Sequence, residues 1–254
     1  ARLVVENLVK RYGGLTAVAG VGFEVASGSI TGLIGPNGAG KTTTFNMIAG
    51  SERPSAGRIL FDGEDVTALR PHERHARGIL RTFQIPREFR AMTVRENLAV
   101  AAPDQPGERI LRNWLEPGAV RAREEAVMAK ADETLAFLGL THLADALAGT
   151  LSGGQKKLVE LGRTMMADAR LVLLDEPGAG VNPTLMNRIA EMIRRLNAER
   201  DYTFCIIEHD MDLIAKLCHP VIVLAEGRVL AQGPMEAIRH DPRVIDAYFG
   251  GAPA

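Results

Sequence analysis

The spacing of apolar residues divides the first two thirds of the chain into regions of different predicted structure. Residues 3–34 contain short alternating or continuous apolar runs separated by glycine turns, which predicts β-strands. The segment RILFDGEDV (58–66) predicts a hairpin around Asp62-Gly63. Between about 94 and 167 the apolar residues recur at helical spacing, so this region is predicted to be mainly helical.

From residue 171 onward, short apolar strands alternate with amphipathic helices. The run LVLLDE is followed by a helical segment, and then by the strand-like stretches YTFCIIEHD and PVIVLAEG. Strands that are apolar throughout and alternate with helices are typical of a parallel sheet covered on both faces. The last segment, DPRVIDAYFG, predicts one more short helix. The predicted fold class is therefore α/β.

Composition narrows the possible partners. The 254 residues are 46% hydrophobic, which is enough for one large domain or for a core with an inserted lobe. The formal net charge of −1 provides no general attraction to nucleic acid, so we expect no nucleic-acid partner. The two cysteines have no CxxC spacing and predict buried thiols in a reducing compartment. No apolar run approaches the ~18–20 residues that span a bilayer, which predicts a soluble, intracellular chain.

The first candidate for chemistry is the glycine-rich stretch GPNGAGKTT, the phosphate loop (residues 35–43). It fits the pattern G-x-x-x-x-G-K-[ST] and lies between a strand-like and a helix-like segment, as that pattern requires. Its N–H groups would face phosphate oxygens, Lys41 would reach the β- and γ-phosphates, and the Thr42 hydroxyl would bind Mg²⁺. The residues predicted to bind nucleotide here are Gly35, Asn37, Gly38, Ala39, Gly40, Lys41, Thr42 and Thr43.

Two adjacent carboxylates end the apolar run LVLLDE. Asp175 would hold Mg²⁺ directly or through water, and Glu176 would activate the attacking water as a general base. The alternative is an ordinary strand end with exposed acids. Together with the phosphate loop, this pair predicts ATP and Mg²⁺ as cofactors. The chain has no N-K-x-D segment, which a GTPase would need to recognise guanine.

A second glycine-rich stretch, LSGGQ, is the signature loop (residues 151–155). One nucleotide does not need two glycine loops from one chain, so the second loop suits a nucleotide held by another molecule. Ser152 and the N–H groups of Gly153 and Gly154 would lie at the positive end of the helix that follows from Gln155. Two chains facing head-to-tail would then enclose two nucleotides. The alternative is a helix cap or a Schellman-like turn.

LSGGQ some twenty residues before LVLLDE resembles the ABC-type ATPases, and the resemblance covers the whole chain. It implies a P-loop NTPase (RecA-like) core with an antiparallel β subdomain and an inserted α-helical subdomain. We expect a single domain, 1–254. Its predicted parts are a core with the β subdomain at 1–85 and 160–235, a helical subdomain at 86–159, and a tail at 236–254.

The resemblance also assigns roles to residues outside the two glycine loops. It implies that Gln84, in RTFQ, contacts Mg²⁺ or the attacking water, and that His209, in IIEHD, contacts the γ-phosphate. Tyr12 matches the aromatic residue that stacks on adenine. The expected catalytic residues are Glu176, His209 and Gln84; the expected metal ligands are Thr42, Gln84 and Asp175; the signature-loop ligands are Ser152, Gly153, Gly154 and Gln155.

The loop after Glu176 departs from the superfamily pattern. It is PGAGVNP, with Asn182 where aspartate is common. This departure is one of several features that make the chain similar to the ATP-binding subunits of branched-chain amino-acid uptake systems. The other features are RTFQ, AMTVRENLAVAA, the insertion before residue 120, IIEHDM and VIDAYFG. Related subunits serve urea, amide and aromatic-acid importers and, more distantly, lipopolysaccharide export.

The resemblance further implies partners and a location. The expected partners are ATP and ADP, a second ATPase subunit that is identical or a paralogue, transmembrane permease subunits and, indirectly, an extracytoplasmic solute-binding protein. The expected location is the cytoplasmic face of the inner membrane. Two rival functions are an ABC-type ATPase that acts on DNA or ribosomes and a nucleotide sensor that does not hydrolyse ATP.

Two surface predictions accompany this hypothesis. Ile85, Phe89 and Met92, near Gln84, would contact a permease helix, with Arg87 and Arg90 at the rim of the contact. The alternative is that the three apolar residues belong to the core of the helical subdomain. The basic segment around Arg74 and Arg77 would be a solvated helix face or would face lipid headgroups.

Overall fold

The computed structural model describes residues 2–82, 88–108 and 110–249. The chain divides into two compact units. The first unit comprises 1–84, 170–179 and 186–254, and the second comprises 85–169 and 180–185. The prediction placed the helical subdomain at 86–159, and those predicted boundaries stay predictions.

The strands and helices follow the sequence pattern closely. The strands are β1 (Leu3–Tyr12), β2 (Leu15–Val25), β3 (Ile30–Ile34), β4 (Ala56–Phe61), β5 (Glu64–Asp65), β6 (Ile79–Arg81), β7 (Leu171–Asp175), β8 (Thr203–Ile207), β9 (Val221–Ala225) and β10 (Arg228–Gly233). The helices are α1 (Lys41–Ala49), α2 (Pro71–His75), α3 (Val94–Ala99), α4 (Ile110–Leu115), α5 (Pro117–Leu138), α6 (Gly153–Met166), α7 (Pro183–Arg200), α8 (Met211–Leu217), α9 (Met235–Arg239) and α10 (Pro242–Phe249).

The first unit contains two sheets. One has the strand order β2-β1-β4-β5 and is antiparallel throughout. Phe61 pairs with Glu64 across the turn at Asp62-Gly63, which confirms the predicted hairpin. The other sheet has the order β10-β9-β3-β8-β7-β6, and all its pairs are parallel except β9 with β10. The predicted parallel sheet is therefore confirmed.

The core of the first unit explains the continuous apolar runs. Every residue of β3, β7 and β8 is buried, as expected for central strands that are covered on both faces. Phe45, Met47 and Ile48 of α1 are also fully buried and pack in one cluster with residues from both sheets. This packing fixes α1, and with it the phosphate loop that precedes it.

The second unit is helical. Helix α5 buries Val127, Ala131, Leu135 and Leu138, which recur at helical spacing and form its apolar face. No helix in the described part of the chain is both long and apolar enough to span a membrane.

Arg74 is the largest fully buried side chain of the described residues, so its assignment to a solvated or lipid-facing surface is wrong. Its guanidinium donates hydrogen bonds to the carbonyls of Met47 and Ile48, in the last turn of α1, and to those of Thr67 and Leu69. The last carbonyls of a helix have no partner within the helix, and a cation there also favours the helix dipole. Burial lowers the pKa of Arg74 to about 10, so the group remains charged at neutral pH.

We predict that Arg74→Met lowers the free energy of unfolding by about 2–3 kcal/mol, because several buried carbonyls lose a charged donor. Chemical denaturation measures this. Arg77→Met is the matched control, since Arg77 pairs with Glu64 at the surface and its loss should cost far less. Equal destabilisation by the two substitutions would contradict the structural role of Arg74.

Candidate functional site

A cavity of about 560 Å³ in the first unit collects most of the predicted site residues. It lies where the phosphate loop follows β3, and where Glu176 and His209 follow β7 and β8. Its volume suits a small-molecule ligand. The cavity is lined by Tyr12, Leu15, Thr16, Ala17, Asn37, Gly38, Ala39, Gly40, Lys41, Thr42, Thr43, Glu176, His209, Glu226 and Gly227.

The phosphate loop places a buried cation at the N-terminus of α1. Lys41 is only 7% exposed, and its Nζ donates hydrogen bonds to the carbonyl oxygens of Gly35, at 2.7 Å, and Pro36, at 2.9 Å. Burial lowers the pKa of Lys41, while the nearby carboxylates of Glu176 and Asp175 oppose that effect. A buried ammonium group beside a helix N-terminus favours an anion, and a chain of phosphates in particular.

Tyr12 lies at the end of β1 and forms another wall of the cavity. Its hydroxyl donates a hydrogen bond to the Glu52 carboxylate, and this bond is the main reason why its pKa is raised. The ammonium of Lys10 lies 5.0 Å from the centre of the Tyr12 ring. Tyr12 is 45% exposed, so a planar base could stack on its ring. Stacking of adenine on Tyr12 stays a prediction.

Glu176 and His209 meet directly. The Nε2 atom of His209 lies 2.9 Å from Oε1 of Glu176. Glu176 has a φ of 49°, in the left-handed region that residues other than glycine seldom adopt. Its N–H donates to the carbonyl of Ile207, at 2.9 Å, which holds this unusual backbone conformation in place. Such strain is commonly kept where a side chain must point in one particular direction.

Asp175 and Thr42 are the predicted oxygen ligands for Mg²⁺, and their binding of a metal ion stays a prediction. Asp175 is buried at the end of β7, and Thr42 lines the cavity on α1. Mg²⁺ binds oxygen, and it commonly takes only one or two protein ligands together with phosphate oxygens and water. Within residues 2–82, 88–108 and 110–249 no group of three or more histidine, cysteine, aspartate or glutamate residues could hold a metal. The carboxylate of Asp175 and the hydroxyl of Thr42 are oxygen donors of the kind that Mg²⁺ prefers. The third predicted ligand, Gln84, lies outside the described residues.

The signature loop belongs to the second unit and forms the N-terminus of α6. Ser152 caps this helix: its Oγ accepts a hydrogen bond from the N–H of Gln155, and its own N–H donates to the Gln155 side chain at 2.8 Å. Gly154 packs so closely that a Cβ atom there would lie 1.4 Å from Leu185. The helix-cap alternative is therefore the observed local structure. Binding of a nucleotide by Ser152, Gly153, Gly154 and Gln155 stays a prediction.

Glu208 is a buried residue that the sequence analysis missed. One of its carboxylate oxygens accepts a hydrogen bond from the N–H of Gly178, at 2.6 Å, and the other accepts one from the N–H of His209, at 2.9 Å. It thus joins the loop after Glu176 to the strand end that carries His209. A Cβ atom at position 178 would lie 2.1 Å from the Met186 side chain and 2.6 Å from this carboxylate, which accounts for the first glycine of PGAG. A glutamate at the end of the apolar run TFCII was the available signal.

Asn182 has a structural explanation. Its Oδ1 accepts a hydrogen bond from the N–H of Leu185, at 2.9 Å, directly before α7 begins at Pro183. Asparagine and aspartate cap helix N-termini about equally well, so the departure from the common aspartate preserves this function.

Two family models match this chain. The model "ABC transporter" matches residues 18–179, which include the phosphate loop, the signature loop and Asp175-Glu176. The chain belongs to the ABC transporter family. A second model, "branched-chain amino acid ATP-binding cassette transporter", matches residues 228–254.

Relatives of the same family resemble the chain along almost its whole length. A probable branched-chain amino acid transport ATP-binding protein, LivG, of Archaeoglobus fulgidus is 44% identical over 252 residues, covering 98% of this chain and 95% of the relative. BraF of Pseudomonas aeruginosa, a high-affinity branched-chain amino acid transport ATP-binding protein, is 40% identical over 250 residues and 98% of each chain. LivG of Escherichia coli, which has the same description as BraF, is 39% identical over 251 residues and also 98% of each chain.

Solved structures agree with the fold. A nucleotide-free ATP-binding cassette from an ABC transporter has a TM-score of 0.84 and 39% identity, covering 98% of both chains. The ADP conformation of MJ1267, an ATP-binding cassette of an ABC transporter, has a TM-score of 0.82 and 36% identity, with the same coverage. The predicted family, the predicted ABC ATPase fold and the prediction of an ABC-type transport ATPase are confirmed. The roles of single residues in this ABC ATPase stay predictions.

We predict that Glu208→Gln lowers the free energy of unfolding by about 1–3 kcal/mol. In the unmodified protein each carboxylate oxygen accepts a backbone N–H, whereas in the variant the amide NH₂ group replaces one of these oxygens and leaves one N–H without its acceptor. Thermal and chemical denaturation measure this. Glu236→Gln is the control, since that glutamate is exposed on α9. A Glu208→Gln protein as stable as the control would show that the contacts of Glu208 do not hold the two loops.

Proposed function

We propose that this chain is the ATP-binding subunit of an ABC importer, which hydrolyses ATP at a head-to-tail dimer interface to drive uptake of branched-chain or related amino acids. The observation that carries the proposal is the convergence of the phosphate loop, Tyr12, Glu176 and His209 on one cavity. The proposed nucleotide binding, metal binding and hydrolysis are argued below from the chemistry of these groups.

Nucleotide binding would depend first on electrostatic attraction between the phosphates and the phosphate loop. The triphosphate would receive hydrogen bonds from the N–H groups of the phosphate loop and from the ammonium of Lys41, while adenine would stack on Tyr12. Lys41 is already held by the carbonyls of Gly35 and Pro36, so little side-chain freedom would be lost when it contacts phosphate.

Thr42 and Asp175 would hold Mg²⁺, with Gln84 as the third predicted ligand. The ion, when bound, neutralises charge that develops on the phosphates during transfer. ADP and ATP are thus the expected ligands, and Mg²⁺ the expected metal.

Hydrolysis needs a base beside the γ-phosphate. The Glu176 carboxylate would take a proton from water as the water oxygen bonds to the γ-phosphorus and the bond to the bridging oxygen of ADP breaks. His209, 2.9 Å from Glu176, would fix the direction of the carboxylate and contact a γ-phosphate oxygen. The strained backbone at Glu176 supports a role that requires this orientation.

A second chain would complete each site. The N-terminus of α6 presents the N–H groups of Gly153 and Gly154, and a helix N-terminus favours a phosphate supplied from outside the chain. The facing subunit is a second copy of this chain or a paralogue.

Residues 88–92 are suited to contact a permease subunit. Phe89 is 52% exposed, and the guanidinium of Arg163 on α6 lies 5.3 Å from its ring centre. Its neighbour Glu88 forms an ion pair with Lys156 of α6 at 2.7 Å. A permease that moved residues 88–92 would therefore act on the helix that carries the signature loop. We infer from this role that the subunit would lie at the cytoplasmic face of the membrane, with the solute-binding protein as an indirect partner.

We infer branched-chain amino acids as the transported substrates from the similarity of this chain to other proteins. The C-terminal segment 228–254 matches the branched-chain amino acid model, and the relatives described above are named for transport of those amino acids. Transport assays with the intact complex would compare leucine, isoleucine and valine with urea and with aromatic amino acids.

The test of the proposed mechanism is Glu176→Gln. The substitution keeps size and one acceptor but removes the base, so ATP turnover should fall by about 10²–10⁴-fold. It also removes a negative charge beside the triphosphate, so ATP should still bind and a closed dimer should accumulate. Phosphate release and light scattering, with the partner subunits present, measure both effects.

The matched control is Glu191→Gln, an exposed position on α7. This protein should hydrolyse ATP at the normal rate and should not accumulate as a closed dimer. Near-normal turnover by Glu176→Gln would remove Glu176 from the role of base.

A further inference from the structure

Arg81 ends β6 and lies three residues before Gln84. One terminal nitrogen of its guanidinium donates to Oδ2 of Asp175 at 2.7 Å, and the other donates to Oδ1 of Asn46. The ion pair is largely shielded from water, since the two side chains are only 19% and 8% exposed. Arg81 therefore contacts the carboxylate that the proposed function assigns to Mg²⁺.

A chain of side-chain hydrogen bonds holds Arg81 in this place. Asn46 lies four residues after Thr42 and therefore on the same face of α1. Its Nδ2 donates to Oε1 of Glu52 at 2.7 Å, and the other oxygen of Glu52 accepts the hydroxyl of Tyr12. The chain thus runs from the ring at the cavity wall to Asp175. The whole network lies within the first unit.

The hold on Arg81 is incomplete. Its Nε atom is buried and has no hydrogen-bond partner among the described residues. A buried N–H without a partner is unfavourable, so the guanidinium has less to lose on moving than a fully bonded group would have.

We propose that Arg81 is a positioning residue that competes with Mg²⁺ for the Asp175 carboxylate and thereby sets the Mg²⁺ concentration that the site requires. The inference rests on the proposed function, because it takes Asp175 as a metal ligand. The guanidinium is a permanent cation, and a permanent cation beside a carboxylate lowers the attraction of that carboxylate for a second cation. Mg²⁺ must therefore share Asp175 with Arg81 or displace it.

The substitution Arg81→Met removes the charge and keeps a long side chain. An adjacent charge changes the ionisation of a carboxylate by one to three powers of ten, so half-saturating Mg²⁺ should fall by roughly tenfold or more. The affinity for ADP in EDTA should stay close to that of the unmodified protein. Arg81→Lys retains the charge and should require nearly the normal Mg²⁺ concentration.

The experiment is calorimetric titration of the full chain with ADP at a series of free Mg²⁺ concentrations and in EDTA. Asp175→Asn is titrated first. If Mg²⁺ improves ADP affinity in the unmodified protein and less so in Asp175→Asn, then the assignment of Asp175 to the metal holds. If Mg²⁺ raises the ADP affinity of both proteins equally, then Asp175 is not a metal ligand, and the inference fails with that assignment.

The arginine variants then test the inference alone. Arg77→Met is the control, because it breaks an ion pair of the same unit that does not involve Asp175. An unchanged or higher half-saturating Mg²⁺ in Arg81→Met overturns the proposal, and so does a fall of equal size in Arg81→Lys. If Arg81→Met does not fold, Arg81→Gln, which is uncharged and can still bond to Asn46, replaces it under the same criteria.

Discussion

The pairing of three parallel strands is the constraint on which the rest of the site depends. Ile207 of β8 pairs with Leu33 of β3 on one side and with Asp175 of β7 on the other. Neighbouring strands lie about 4.8 Å apart, so three strand ends fall within about 10 Å of one another. The phosphate loop begins two residues after Leu33, Glu176 directly follows Asp175, and His209 lies two residues after Ile207. A change of register by one residue would shift one of these groups by about 3.3 Å relative to the others.

Charged side chains interact with one another at this edge of the parallel sheet. Lys41, Arg81, Asp175 and Glu176 form a group in which each cation has a carboxylate nearby, and burial makes their mutual attraction stronger than it would be in water. The bonds between Lys41 and two loop carbonyls fix this side chain before any phosphate contacts it. The phosphate loop is therefore organised by its own residues, which lowers the conformational cost of binding.

Sequence reasoning succeeded where one local segment determines the structure. The phosphate loop, the hairpin at Asp62-Gly63 and the apolar strands β3, β7 and β8 each depend on a few consecutive residues, and each formed as predicted. It failed where the partner is distant in sequence. Arg74 belongs to a basic segment that would look the same at the surface, and its burial depends on the carbonyls of α1, some 26 residues earlier. Arg81 and Glu208 contact residues 94 and 30 positions away, which no local pattern shows.

The most direct test of the account is equilibrium binding of ATP to the isolated chain by calorimetry. The account predicts one nucleotide per chain, a loss of affinity of about tenfold or more in Lys41→Met, and unchanged affinity in Ser152→Arg, because the signature loop is expected to serve the facing subunit. Normal binding by Lys41→Met, or an equal loss in Ser152→Arg, would contradict it.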